Sequence, residues 1–305
     1  MNEAFLDELQ ALGPALLDEP LHRHNTFGIG GPADVYFAAR SEEQLRAALR
    51  AAHQHDVPVF ILGAGSNVLI LDGGIRGLVI ENATEQVEGP TPNGAGFRVR
   101  AASGVSFAAL ARRLSFAGYS GIEWACGIPG TLGGAAVYNA GAYGKSLLDS
   151  LKGIRVLDPQ NGILELRPEE LTLDYRNSAF TRGALKGHVV LSVDLSLQKG
   201  DPDELRARVR EFDGRRLAAQ PRGRNAGSMF KNPAEHPAWW LVDQVGLRGH
   251  RIGNAEISQQ HTNFFLNLGG AKAVDALALM ELARSRVREH FGIELENEVA
   301  MAGEP

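Results

Sequence analysis

The chain has 305 residues, long enough for two modest domains that each bury a core of their own. Its net charge is −5 with no block of like charges, which excludes broad electrostatic attraction to nucleic acid or an anionic membrane as the basis of its function. The single cysteine, Cys126, excludes an intrachain disulfide and any multi-cysteine zinc or iron–sulfur site.

A short amphipathic opening carries Glu3, Asp7 and Glu8 where a secretory leader would be basic and then apolar, and nowhere do about 18 apolar residues run together. A soluble, cytoplasmic protein is expected. His24 to Ala39 places a glycine turn before an alternating strand with Val35 and Phe37 on one face. His22 and His24 could share a side of extended chain and hold a metal, but no carboxylate or third histidine close by supports it, and no metal site is expected. Ser41 to Asp56 reads as a helix, with Leu45, Ala48, Leu49 and Ala52 on one stripe.

Val57 to Gly74 is a buried strand, a tight G-x-G-S-N turn and a second apolar run. A Rossmann fingerprint would need a third glycine and a following helix, and both are missing. The turn is a different kind of anion nest: Gly63 and Gly65 free the backbone, and Ser66 and Asn67 add side-chain hydrogen bonds suited to a pyrophosphate. A simple strand-turn-strand corner would use similar residues.

Strands are expected at Gly77 to Asn82 and Phe97 to Ala102, and a helix at Ser106 to Gly118. The stretch from Cys126 to Gly144, CGIPGTLGGAAVYNAGAYG, follows with six glycines and one proline among small apolar residues. It reads either as a phosphate cradle or as a buried loop that only permits close packing. The candidate cofactor positions in it are Gly127, Pro129, Gly130, Gly133, Gly134, Asn139 and Gly141. Two phosphate-sized cradles suit a long diphosphate cofactor better than a mononucleotide.

KGIRVLD and GILELR form a hairpin across Pro159, Gln160 and Asn161, and His188 to Leu197 is a last long strand. The pattern changes near residue 200, where a charged helix carries Leu205, Val209 and Phe212 on one face. Further helices are expected around Trp239 to Val245 and from about Ala271 to Phe291, the latter striped by Leu277, Met280, Ala283, Val287 and Phe291. The class is α+β, with domains at 1–200 (subdomains about 1–82 and 83–200) and 201–305.

The ordered set GAGSN, GIPGTLGGAAVYNAGAYG, YRNSAF, GSMFKNP and ENEV resembles the UDP-N-acetylenolpyruvoylglucosamine reductase (MurB) family, from about Asn25 to Gly303. The resemblance implies an FAD-binding domain of the vanillyl-alcohol-oxidase type, a smaller substrate domain, and NADPH as hydride donor. The implied substrate is UDP-N-acetylglucosamine enolpyruvate, handled by a monomer without nucleic-acid or membrane partners. The implied catalytic residues are Arg176 on the substrate carboxylate, Ser228 as proton donor and Glu298 as a partly buried acid with a raised pKa. Lys231 and Asn232 fall where the family contacts substrate, and Gln260, His261 and Asn263 in the segment at its nucleotide end; a metal or core role for His261 stays open. Asn297 stands where many relatives have proline, and Trp239 adds bulk after the substrate loop. The short stretch from His188 to Ser228 places the chain in the compact (type II) subclass. A flavin oxidase of a small alcohol or sugar is the alternative on the same fold.

Overall fold

A computed structural model of the chain describes residues 2–158 and 162–305. The turn of the hairpin expected at Pro159, Gln160 and Asn161 lies outside the described residues. The chain forms two compact units, one made of residues 1–15, 37–64 and 80–216, the other of 16–36, 65–79 and 217–305.

In the first unit, antiparallel strands follow the order Gly162–Leu166, Leu151–Asp158, Val189–Lys199, Gly96–Ala102, Val87–Asn93. Alternation decides which face is buried. Val193 and Leu195 point into the core with Val99 and Ala101, whereas Asp194 between them faces out. There it accepts from Arg98 at 3.1 and 2.9 Å and from Arg100 at 2.9 and 2.7 Å. Helix Phe107–Phe116 covers the inner face with Phe107, Leu110, Ala111 and Leu114, is capped by Ser106 and ends before Gly118 at φ 82. Helix Glu42–Gln54 starts on a Ser41 cap, and Glu42 holds Arg155 of the sheet through two bonds at 2.9 and 3.1 Å.

The second unit packs helix Ala273–Phe291 and helix Ala238–Gln244 with a three-stranded antiparallel sheet, Arg251–Ile252, Ala255–Ile257 and Phe265–Asn267. The long helix buries Ala276, Leu279, Met280, Ala283 and Val287; Leu277 and Phe291 sit at the edge of that stripe. Its N-terminus is capped from far away: the Asp72 carboxylate accepts from the Ala273 and Val274 amides at 2.8 and 3.0 Å, which satisfies two orphan donors and favours the helix dipole. Strand Val68–Ile70 pairs in parallel with Ala300–Ala302.

These units divide the chain differently from a cut at residue 200. Helix Pro202–Ala219 belongs to the first unit up to Arg216, because Leu205 and Val209 are buried there and Asp213 binds Arg112. The second unit recruits Phe27, Ile29 and Leu69 into its core, so it needs the early segments 16–36 and 65–79.

Candidate active site

In the first unit the two glycine motifs meet. An ideal Cβ on Gly63 would fall 2.7 Å from Thr131 Oγ1, so only glycine lets the turn after Val59–Leu62 press on the stretch after Cys126. Thr131 caps helix Leu132–Val137, accepting the Gly134 amide at 3.3 Å; the central stretch is therefore not all loop. Ser103 supports it from below: its carbonyl accepts the Gly133 amide at 2.8 Å, and a Gly133 Cβ would sit 2.7 Å from Ser103 Cβ. Gly130 takes φ 116, which side-chain-bearing residues rarely adopt, while its carbonyl accepts the Phe107 amide at 3.1 Å. Gly127 and Gly141 are also pressed against protein, by Arg216 and by the Lys145 carbonyl, and Pro129 is exposed. Close packing thus accounts for several of these glycines, and the cradle is the surface that the packing shapes.

The YRNSAF loop is stitched to that stretch by three bonds. Asn139 Nδ2 donates to the Asp174 carbonyl at 3.0 Å, Arg176 Nη2 to the Gly141 carbonyl at 3.2 Å, and Ser178 Oγ to the Val137 carbonyl at 2.5 Å. Asn139 also accepts the Leu148 amide at 3.3 Å, so its buried side chain is occupied by the protein. Arg176 is half-buried and held at φ 52, with its guanidinium 5.6 Å from the centre of the Tyr175 ring. A non-glycine residue in this region is strained, and the loop bonds hold it there.

The other candidates gather in the second unit. Gly65, at φ 61, lies against Asn25, where a Cβ would fall 2.5 Å from Asn25 Cα, and its carbonyl accepts the Thr26 amide at 3.0 Å. Half-buried Ser66 follows, then Asn67, whose Nδ2 donates to the Glu298 carbonyl at 3.2 Å and whose own carbonyl accepts the Ala300 amide at 3.1 Å. The segment with Ser228 runs between two others. On one side the Met229 amide donates to the Asn263 carbonyl at 2.9 Å and Ser228 bridges Phe264; on the other the Glu298 amide donates to the Met229 carbonyl at 2.9 Å and Phe230 bridges Asn297. Ser228 and Glu298, 70 positions apart in the chain by their numbers, are thereby brought to adjoining backbone, both half-buried. Among the described residues the Ser228 hydroxyl makes no hydrogen bond.

The Lys231 ammonium pairs with exposed Glu296 at 3.3 Å, and Asn232 Oδ1 accepts the Ala238 amide at 3.0 Å. Gln260 Nε2 donates to the Ala218 carbonyl at 2.8 Å. Asn263 is buried, with both ends of its amide on the Phe230 backbone. The His261 ring lies 4.8 Å from Phe264 and 6.2 Å from Trp239, and burial pushes its pKa below the usual 6.5. Its Nδ1 is sealed inside the protein, while the residue as a whole is only half-buried. His24 pairs with Glu19 at 3.0 Å and packs on Tyr36, so a carboxylate does lie close to this histidine, contrary to the sequence reading. Asn297 accepts a hydrogen bond from Arg284, so it anchors the C-terminal segment to the long helix. Thr131, Asn67's grip on Glu298, and Arg216 beside Gly127 escaped the sequence reading; their partners are backbone groups or distant segments that spacing does not reveal.

Residues 33–167 match the FAD binding domain family, and residues 219–302 match the C-terminal domain of UDP-N-acetylenolpyruvoylglucosamine reductase. The chain is 44% identical to the UDP-N-acetylenolpyruvoylglucosamine reductase of Rubrobacter xylanophilus, over 97% of this chain and 98% of that one. It is 39% identical to the enzyme of the same name from Lachnoclostridium phytofermentans, over 100% and 99%. The crystal structure of the Thermus caldophilus reductase superposes with a TM-score of 0.77 at 34% identity, covering 95% of this chain and 98% of that one. With both halves matched and the relatives aligned end to end, the chain belongs to the UDP-N-acetylenolpyruvoylglucosamine reductase family and is an FAD-containing oxidoreductase of peptidoglycan precursor synthesis.

Proposed function

We propose that the chain reduces the enolpyruvyl ether of UDP-N-acetylglucosamine enolpyruvate to UDP-N-acetylmuramate, using NADPH and FAD. The observation that carries the residue assignment is the placing of the Ser228 segment beside Glu298 by backbone pairing, with a Ser228 hydroxyl that makes no hydrogen bond among the described residues. The residues fit a dinucleotide: the Gly63 turn abuts Thr131, and Gly130 takes a φ of 116 that side-chain-bearing residues rarely adopt.

The glycine-rich segments around Gly63 and Gly130 would hold FAD, which once reduced by NADPH would supply the hydride for the terminal alkene carbon. The neighbouring carbon and its carboxylate then gain negative charge, and the Arg176 guanidinium is suited to grip that carboxylate with paired N–H donors. The Glu298 carboxyl, in the protonated form this role requires, would donate a hydrogen bond to the charged oxygen, and Ser228 Oγ would deliver the proton to carbon. Lys231 can exchange a solvated glutamate for a phosphate oxygen, since an exposed ion pair is weak. Asn232, Gln260 and His261 serve the sugar and nucleotide end; of the His261 ring only Nε2 can do so, because Nδ1 is sealed from solvent.

We read the C-terminal unit as the substrate-binding part and the chain as a cytoplasmic monomer of the compact subclass. The modest negative charge and the single buried thiol support a reducing compartment and no nucleic-acid role. No helix among the described residues is long and apolar enough to cross a membrane.

An anaerobic absorbance titration tests the function. NADPH should bleach the flavin bands, and the enolpyruvyl substrate should restore them. Bleaching without recovery overturns the substrate assignment; rapid oxygen use with an alcohol and no need for NADPH would replace it with an oxidase.

A further inference from the structure

Two adjacent arginines near the end of helix Pro202–Ala219 meet different fates. Arg215 is exposed and pairs with Glu211 at 2.5 Å. Arg216 folds its stem against the glycine-rich stretch: an ideal Cβ on Gly127 would fall 2.7 Å from Arg216 Cδ. Among the described residues its guanidinium makes no hydrogen bond and no ion pair. The neighbouring carboxylate is already spent, because Asp213 takes two bonds from Arg112 at 2.5 and 2.6 Å and a weak one from Cys126 Sγ at 3.6 Å. Burial pulls Arg216 below the usual arginine range, although Tyr143, Cys126 and Asp213 act in the opposite sense. A partly desolvated cation with no counter-charge is costly unless an anion completes it.

We propose that the Arg216 guanidinium is an anchor for a diphosphate anion at the Gly127 end of the glycine-rich stretch. The planar fork matches two phosphate oxygens, and a side chain at position 127 would press on the Cδ of the stem that carries that fork. FAD, NADPH and the UDP-sugar all carry a diphosphate. The contact with Gly127 favours that of FAD, and the assignment rests on reading the stretch as the flavin cradle.

The full chain, stripped of flavin, is titrated with FAD and with riboflavin, which has no phosphate, following flavin fluorescence; NADPH and UDP are titrated into the holoenzyme calorimetrically. Arg216→Met should weaken FAD by about 10- to 100-fold, the loss expected for a charge-assisted pair, and leave riboflavin unchanged. Arg216→Lys should recover part of the loss, Gly127→Ala should reproduce part of it, and Arg215→Met should bind as the wild type does. A loss confined to NADPH or UDP assigns the anchor to that diphosphate instead. Equal losses for FAD and riboflavin overturn the proposal in favour of packing, as does unchanged binding of all four ligands. A wild type that holds riboflavin as tightly as FAD brings down the cradle reading itself, whereas a wild type that prefers FAD beside an unaffected Arg216→Met overturns only the anchor.

Discussion

Asn263 clamps Phe230 at both ends of its peptide groups: Oδ1 accepts the Phe230 amide at 2.9 Å and Nδ2 donates to the Phe230 carbonyl at 2.8 Å. Phe230 is two residues from the proposed proton donor. Removing the clamp in Asn263→Ala strands a buried donor and a buried acceptor, at about 1–3 kcal/mol of stability by the cost of unsatisfied groups. Ser228 would then be less well placed, so kcat should fall more than KM rises. Thermal unfolding and steady-state kinetics together check this; an unchanged melting temperature would show the clamp to be dispensable.

Ser228→Ala separates the two half-reactions. The flavin should still be bleached by NADPH at the wild-type rate, while reoxidation by the enolpyruvyl substrate should slow by about 10²–10⁴-fold, the usual span for a lost general acid. Stopped-flow absorbance reads both phases. Reoxidation at the normal rate would remove Ser228 from the proton path.

A methyl group at position 63 would sit 2.7 Å from Thr131 Oγ1 and force the two cradle segments apart. Gly63→Ala should therefore lose flavin during gel filtration and bind added FAD at least about tenfold more weakly, a change of roughly 1.4 kcal/mol. Retention of bound flavin equal to the wild type would mean that Thr131 yields without disturbing the cradle.

His261 makes stability depend on pH. Burial keeps the folded ring from taking a proton near its usual 6.5, with the Arg248 charge helping and a bond to its own backbone opposing. The unfolded chain accepts that proton, so the stability from this group is complete above about pH 6.5 and declines as the pH falls towards the lower folded value. In His261→Leu the melting temperature should fall less steeply between about pH 6.5 and 5 than in the wild type. Parallel profiles would rule out this histidine as the source.

Residues whose partners are close in sequence announced themselves. Ser41 and Ser106 cap the helices they precede, and Leu205 and Val209 bury the face their spacing indicates. Helix Leu132–Val137 did not, because two of its six residues are glycines that read as loop and its cap, Thr131, lies inside the same glycine-rich run. The roles of Asn139 and Asn263 were equally hidden: an asparagine looks the same on paper whether its amide meets a ligand or a distant carbonyl. The division into units was illegible for a related reason. It depends on Leu69 and Phe27 joining a core built mainly from residues beyond 217, and local hydrophobicity does not say which core a strand will enter.

The parallel pairing of Val68–Ile70 with Ala300–Ala302, and the Asn67 to Glu298 bond spanning 231 positions beside it, carry a consequence for biosynthesis. While the chain is being made, the strand Val68–Ile70 emerges early, and the strand it pairs with is complete only when Ala302 has been added. The strand edge at Val68–Ile70 stays open through most of translation, and closing so large a loop is slow. The backbone pairing that brings the proposed acid beside the proposed proton donor can therefore form only after Ala302 has been added.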